Sequence, residues 1–143
     1  MELLPLKNGL VRHVRRSPAF VAAGGEFSPE AFATLLRDRP TRCFVARDGA
    51  TPAGYLELAV EGERYRSAAP DMRNIGGTDL LPDSRGRGLY QNLLQTVVTT
   101  VRAEGVRRIG VDFEATNPPA LRFRTRSFAV YLHSCARRID DPG

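Results

Sequence analysis

Lysine is almost missing from this sequence. Of its 21 basic residues, only Lys7 is not arginine. Cysteine is scarce too. Cys43 and Cys135 both lie in apolar segments, and they lack the spacing of metal ligands. Two residues alone argue no disulfide, so both are expected as buried thiols. His13 and His133 stand far apart with no partner motif and read as structural or surface residues. No apolar run approaches ~20 residues, which excludes a membrane-spanning helix. The opening "MELLPLKNGLVRHVRR" puts a short apolar part before the basic part, the reverse of a secretion signal, so the cytoplasm is the expected location. Internal repeats and low-complexity segments are absent as well. The 143 residues, 42% hydrophobic and 26% charged, fit one ordinary globular domain with a core that needs no staples.

What the chain does have is positive charge. The net charge is +5 and the isoelectric point is about 9.9. Such a balance suits phosphates, nucleic acid or acidic surfaces. The arginines are spread along the chain, and no helix-turn-helix, zinc or aromatic-platform signature accompanies them, so nucleic-acid binding is the weakest of these expectations.

Periodicity predicts the elements. "GLVRHV" reads as a short strand and "AAGGEF" as a turn. "SPEAFATLLRDRP" reads as a helix capped by Ser28, with Pro29 in its first turn, Phe32, Leu35 and Leu36 on one face, and Pro40 as its stop. Residues 41–47 and 53–60 form a hairpin around "DGATP". "MRNIGGTDLLP" is a third strand, and its Gly76-Gly77 pair predicts a bulge or a close approach by another backbone or a ligand. Leu89, Leu93, Val97 and Val101 mark a helix from about Leu89 to Ala103, ended by Gly105. "VRRIGVDFEA" is a strand, "TNPPALRFRTR" a loop and short helix, and "SFAVYLHSCARRI" a closing strand. A strand–helix–strand unit over 72–113 is a parallel crossover, and the hairpin before it is antiparallel. The fold class is α/β, layered around one mixed sheet.

Between the third strand and the long helix lies Ser84-Arg85-Gly86-Arg87-Gly88-Leu89-Tyr90. The first amides of a helix lack partners within it, and the helix dipole adds partial positive charge there. Glycines let the backbone approach an anion, and arginines add forked donors. The Walker loop is excluded because its lysine is missing, and the dinucleotide fingerprint because its third glycine is missing. On local grounds a basic turn that binds nothing is the competing reading.

"LLPDSRGRGLYQNLL" resembles the acyl-CoA pyrophosphate loop of the GNAT superfamily of N-acetyltransferases. Arg85 and Gly88 match the first two fixed positions of that loop, while Tyr90 stands where the family has glycine or alanine. "VDFEATNPPALRF" is similar to the family's fifth strand and following helix through Asn117, Ala120 and Phe123. The two segments span 72–140, about half the chain, and the hairpin at 41–60 fits the family's second and third strands. The closing "FRTRSFAVYLHSCARRID" is similar to the later GNAT domain of tandem-type members. That likeness accounts for residues 1–27 as a short, atypical N-terminal region and leaves open a homodimer in which a partner chain completes the acceptor side.

The resemblance implies a single GNAT-like domain over 1–143. Its fold would be a mixed, mostly antiparallel sheet with splayed parallel fourth and fifth strands and helices on both faces. It implies acetyl-CoA as co-substrate, no metal, no membrane, and direct attack of a primary amine on the thioester. The amides of Arg85, Gly86, Arg87, Gly88, Leu89 and Tyr90 would grip the pyrophosphate. The backbone of Asp79, Leu80 and Leu81 would pair with the pantetheine arm, and an amide there would stabilise the oxyanion. Asn117 would hydrogen-bond that arm and Phe123 would pack beside it. The family's proton-donating tyrosine is replaced by Arg124, a poor donor that can stabilise a thiolate by charge, so Tyr131, Tyr90 or water are the other candidates. The usual Gly-Phe after that helix is Ser127-Phe128. Glu57, Asp79 and Glu114 are candidate bases, and Asp112 is an acid without a catalytic role. An acyl-CoA-binding module that has lost catalysis is the alternative. The acceptor is left open.

Overall fold

The structure is a computed structural model that describes residues 2–16, 24–38, 41–59, 69–113 and 118–130. Helix α1 (Leu4–Arg15) and helix α2 (Pro29–Asp38) come first. Strands β1 (Thr41–Asp48), β2 (Thr51–Ala59) and β3 (Met72–Leu80) follow. A short 3₁₀ turn (Pro82–Ser84) then leads to helix α3 (Leu89–Ala103), strand β4 (Arg108–Val111) and helix α4 (Pro118–Ser127). The strands form one sheet in the order β1-β2-β3-β4. β1, β2 and β3 are antiparallel neighbours, and β3 and β4 run parallel. This is the expected mixed α/β architecture, and β3–α3–β4 is the expected crossover.

Side-chain alternation sorts the sheet into two faces. Leu56, Leu58 and Ile75 pack with Leu93, Val97 and Val101 of α3 in the main core. The intervening Tyr55 and Glu57 face the other way, toward Lys7 of α1 and Phe32 and Leu35 of α2. Helices therefore cover both faces. α2 starts as predicted: the Ser28 hydroxyl accepts the Ala31 N–H at 3.2 Å.

Four expectations need correction. "GLVRHV" is no strand, since residues 9–14 lie inside α1. Pro5 in the first turn and Leu6, Leu10 and Val14 at four-residue spacing define a helix with its basic last turn at the negative dipole end. The valines and Gly9 obscure that period. The strand expected over "VRRIGVDFEA" shrinks to Arg108–Val111. The closing strand does not begin at Ser127, because α4 runs through that residue and the Phe128 N–H still donates to the Arg124 carbonyl at 2.8 Å. The rest of that segment, with His133 and Cys135, lies outside the described residues. Cys43 is exposed rather than buried, because β1 is the outer strand of the sheet. No helix among the described residues is long and apolar enough to cross a membrane.

Candidate functional site

β3 is nine residues long and β4 only four, and their pairing stops at Ile75 opposite Val111. From Gly76 onward β3 has no neighbour on that side among the described residues. The break coincides with the glycine pair. Glu57 pairs with Gly77 and Leu58 with Ile75, so Gly76 is the extra residue of a β-bulge. Beyond it the Leu81 N–H donates to the Ala53 carbonyl at 2.9 Å. Backbone groups of a strand alternate in direction, so Leu81 and Asp79 point to β2 and the peptide groups of Leu80 and Thr78 point to the open side. The Leu80 carbonyl there accepts Arg85 Nε at 3.1 Å. Of the expected pantetheine-pairing residues, Leu80 thus faces the gap. Thr78, which sequence reasoning passed over, faces it too.

The glycine loop follows directly. Gly86 and Gly88 both adopt φ of +74°, where a side chain is strained. Gly88 caps α3, and the first helical bond runs from the Asn92 N–H to the Gly88 carbonyl at 3.1 Å. The amides of Leu89, Tyr90 and Gln91 are left without a partner inside the helix. No side-chain atom crowds the position of a Cβ on Gly86 or Gly88, so the backbone there is open to a ligand. Arg85 turns back to Asp79 at 3.2 Å and Arg87 reaches Asp48 at 3.6 Å.

The two departures from the family pattern touch each other. Arg124 is buried and donates to the Tyr90 hydroxyl. Its guanidinium lies 5.1, 5.9 and 5.8 Å from the rings of Tyr90, Phe123 and Phe128. Tyr90 and Phe123 meet edge to face at 4.5 Å. Burial pushes the Tyr90 phenol up, and Arg124 pulls it partly back.

The face beneath α1 holds ionisable groups. Lys7 Nζ meets Glu57 Oε2 at 2.5 Å in a mostly buried pair. A Cβ on Gly77 would stand 3.2 Å from Glu57 Oε2 and 3.4 Å from the Tyr55 hydroxyl, so the missing side chain makes room for both. Burial, with Glu57 and Asp79 nearby, pushes the Tyr55 phenol up, and its oxygen has no hydrogen-bond partner. Burial also pushes the Asp79 carboxyl up, against the pull of the Leu80 N–H and Arg85. Asp79 Oδ2 would lie 2.7 Å from a Cβ on Gly9, so a glycine inside α1 lets the helix close over that carboxylate. Asn74, fully buried opposite Gly110, also lacks a partner at both polar atoms. Sequence reasoning missed Lys7, Tyr55 and Gly9. The signal for Lys7 was its being the sole lysine; for Gly9 it was a glycine within an apolar period of four.

Glu57 and Asp79 thus lie on one face. Arg124 and Phe123 meet Tyr90 where α4 packs on the first turn of α3. Glu114, Asn117 and Tyr131 lie outside the described residues. Among the described residues no group of three or more acidic, histidine or cysteine side chains is placed to hold a metal.

A model of the Acetyltransferase (GNAT) family matches residues 11–128. The chain belongs to the GNAT acetyltransferase family. A GNAT sheet is expected to part beside a glycine turn, as β3 and β4 do here. Solved structures share the fold. A protein of Bacillus halodurans superposes with a TM-score of 0.75 at 14% identity, over 96% of this chain and 92% of that one. The ribosomal-protein-alanine N-acetyltransferase of Brucella melitensis gives 0.67 at 16%, over 96% and 91%. The aminoglycoside N-acetyltransferase AAC(6')-Iy, in complex with the bisubstrate analogue CoA-S-monomethyl-acetylneamine, gives 0.64 at 17%, over 95% and 90%. At these identities the likeness is one of fold. No curated protein matches the chain.

Proposed function

We propose that this GNAT chain is an acyl-CoA-dependent N-acetyltransferase acting on a primary amine. The observation that carries the reading is the parting of β3 from β4 after Ile75, which leads into a two-glycine turn with open helix amides. The residues present fit acetyl-CoA. The amides from Arg85 to Tyr90 would take the pyrophosphate, the open edge at Thr78 and Leu80 the pantetheine arm, and Phe123 would pack beside it. The N–C bond would form as the amine attacks the thioester carbonyl; the C–S bond would break with its electron pair leaving on the CoA sulfur as thiolate, and the proton that a base takes from the amine balances the one that turns this thiolate into the thiol.

Asp79 is the base we favour. Burial pushes its carboxyl up from the ordinary value, and it lies on the stretch of β3 beyond Ile75. Glu57 is the lesser candidate, because its Oε2 is already engaged by Lys7 Nζ at 2.5 Å. One observation favours a second reading, an acyl-CoA-binding module without catalysis: Arg124 is turned into the α3–α4 interface, bonded to Tyr90.

Calorimetry with acetyl-CoA tests the proposal on wild type, Gly88→Ala and Gly88→Glu. Both variants strain a residue at φ +74°, and only the second adds a negative charge. Loss of binding at least tenfold greater in Gly88→Glu than in Gly88→Ala is the expected result. A folded wild type that binds no CoA ester overturns the reading.

A further inference from the structure

A base fixes where its substrate stands. Asp79 lies opposite Tyr55 in the strand register and shares its face, the one beneath α1. An amine that gives its proton to Asp79 must come within ~3 Å of that carboxylate. The rest of the acceptor then meets the part of α1 that runs past Asp79.

That part is basic. α1 crosses Asp79 at Gly9, where a Cβ would stand 2.7 Å from Asp79 Oδ2 and 3.9 Å from Arg12 Nη2. Arg12, His13 and Arg16 follow Gly9 at helical spacing on the same side of the helix, and all three are exposed. His13 is near enough to pull the Asp79 carboxyl down against the effect of burial. His13 and Arg16 lie ~6 and ~10 Å beyond Gly9 along the axis, and helical side chains lean toward the N-terminus, the direction of Asp79.

The acids of this region are already engaged. Glu57 is held by Lys7, Glu2 by Arg47 and Asp79 itself by Arg85. Arg12 holds Glu26 at 2.9 Å. Asn8 keeps that segment in place through two hydrogen bonds with the Phe27 backbone, at 2.8 and 3.1 Å. Arg16 pairs with no carboxylate among the described residues. The surroundings of Asp79 therefore carry surplus positive charge.

Such a surplus acts on an amine in two ways. It disfavours the ammonium form and so frees the lone pair that attacks a thioester. It also repels a molecule with several ammonium groups and attracts one that carries an anion. Basic residues in a last turn complement the helix dipole as well, but that role adds stability and leaves the choice of acceptor untouched.

We propose that the acceptor is an anionic amine, one with a carboxylate a few ångströms from its nitrogen, as an acidic amino acid has, free or at the head of a peptide. Arg16, with Arg12 and His13 beside it, would face that carboxylate. The inference rests on reading the chain as an N-acetyltransferase with Asp79 as its base.

The test is steady-state acetyl transfer by the full chain, followed as thiol release. Its acceptors are glutamate and glutamine, each free and as the first residue of a dipeptide with alanine, and spermidine. Glutamate and glutamine share a skeleton and differ by one negative charge. The free and dipeptide forms separate an amino-acid acceptor from a peptide one. Wild type is expected to favour the glutamate member of a pair by about tenfold in kcat/KM and to use spermidine least. Arg16→Gln should erase that preference through KM, with kcat kept. Arg102→Gln, which removes an exposed charge in the last turn of α3, should leave it intact. Equal or better use of glutamine or spermidine overturns the proposal. So does a preference kept in Arg16→Gln, or one lost equally in Arg102→Gln. Each of these outcomes still shows acetyl transfer and leaves the acetyltransferase reading standing. A wild type that binds acetyl-CoA by calorimetry yet acetylates none of the five overturns the proposal and favours the module without catalysis.

Discussion

The two faces of the sheet come from the same strands and bury opposite things. On the α3 side Leu56, Leu58 and Ile75 meet Leu93, Val97 and Val101, carbon against carbon. On the α1 side the residues in between, Tyr55 and Glu57, lie with Asp79 beneath Lys7 and Gly9. One face lowers the free energy of the fold. The other holds ionisable groups away from water beside a gap in the sheet, an arrangement that stability alone does not select and that functional sites commonly show.

Substitutions can break that contrast. Leu56→Ala, in the dry face, is expected to cost about 2–5 kcal/mol, read as a shift in the urea midpoint with unchanged slope. Lys7→Met comes next. It strands the Glu57 carboxylate in a site with little solvent and should cost about 3 kcal/mol. Adding Glu57→Leu to it should restore most of that loss, because a buried pair is worth little more than the apolar contact that replaces it. If the double variant stays as unstable as the single one, the pair does hold α1 on the sheet, and the two faces differ less than proposed.

The dry face was legible in the sequence because its signals are local. The four-residue period of Leu93, Val97 and Val101 and the alternation of Leu56 and Leu58 each announce one buried side. The glycine turn was legible because Gly86 and Gly88 sit where no other residue takes φ of +74° without strain. The polar face was not. α1 was misread since Val11, Val14 and Gly9 weaken its helical signal, while its stability comes from packing on β3. The pairing of Lys7 with Glu57, 50 residues apart, follows only from the register of the strands. The contact between Tyr90 and Arg124 was likewise invisible, although each had been noted alone as a departure from the family. Sequence reasoning named Asp79 and the loop as candidates but passed over Thr78, whose direction depends on a single hydrogen bond from Leu81 to Ala53.

The smaller effects probe the polar face itself. Burial holds the Asp79 carboxyl above its ordinary value of 3.8, so the folded chain binds this proton more tightly than the unfolded one. The group's contribution to stability is present below the ordinary value and is lost as pH rises through the raised one. Asp79→Asn should therefore gain on wild type as pH climbs from about 4 toward neutrality, in thermal melts taken across that range, while acetyl transfer falls. An advantage that grows toward acid would show that the Asp79 charge is a stabilising one and would remove it as the preferred base. Tyr55→Phe is subtler. The hydroxyl has no hydrogen-bond partner, and its raised phenol stays neutral at ordinary pH, so deleting it should stabilise the chain by up to about 1 kcal/mol with no pH dependence. The slot it lines with Lys7, Cys43 and Glu57 has about 10 Å³ of room, enough for one water. A loss of stability in Tyr55→Phe would mean that such a water ties the hydroxyl to the Lys7–Glu57 pair, and the α1 face would then be a hydrated network rather than a set of groups isolated by packing.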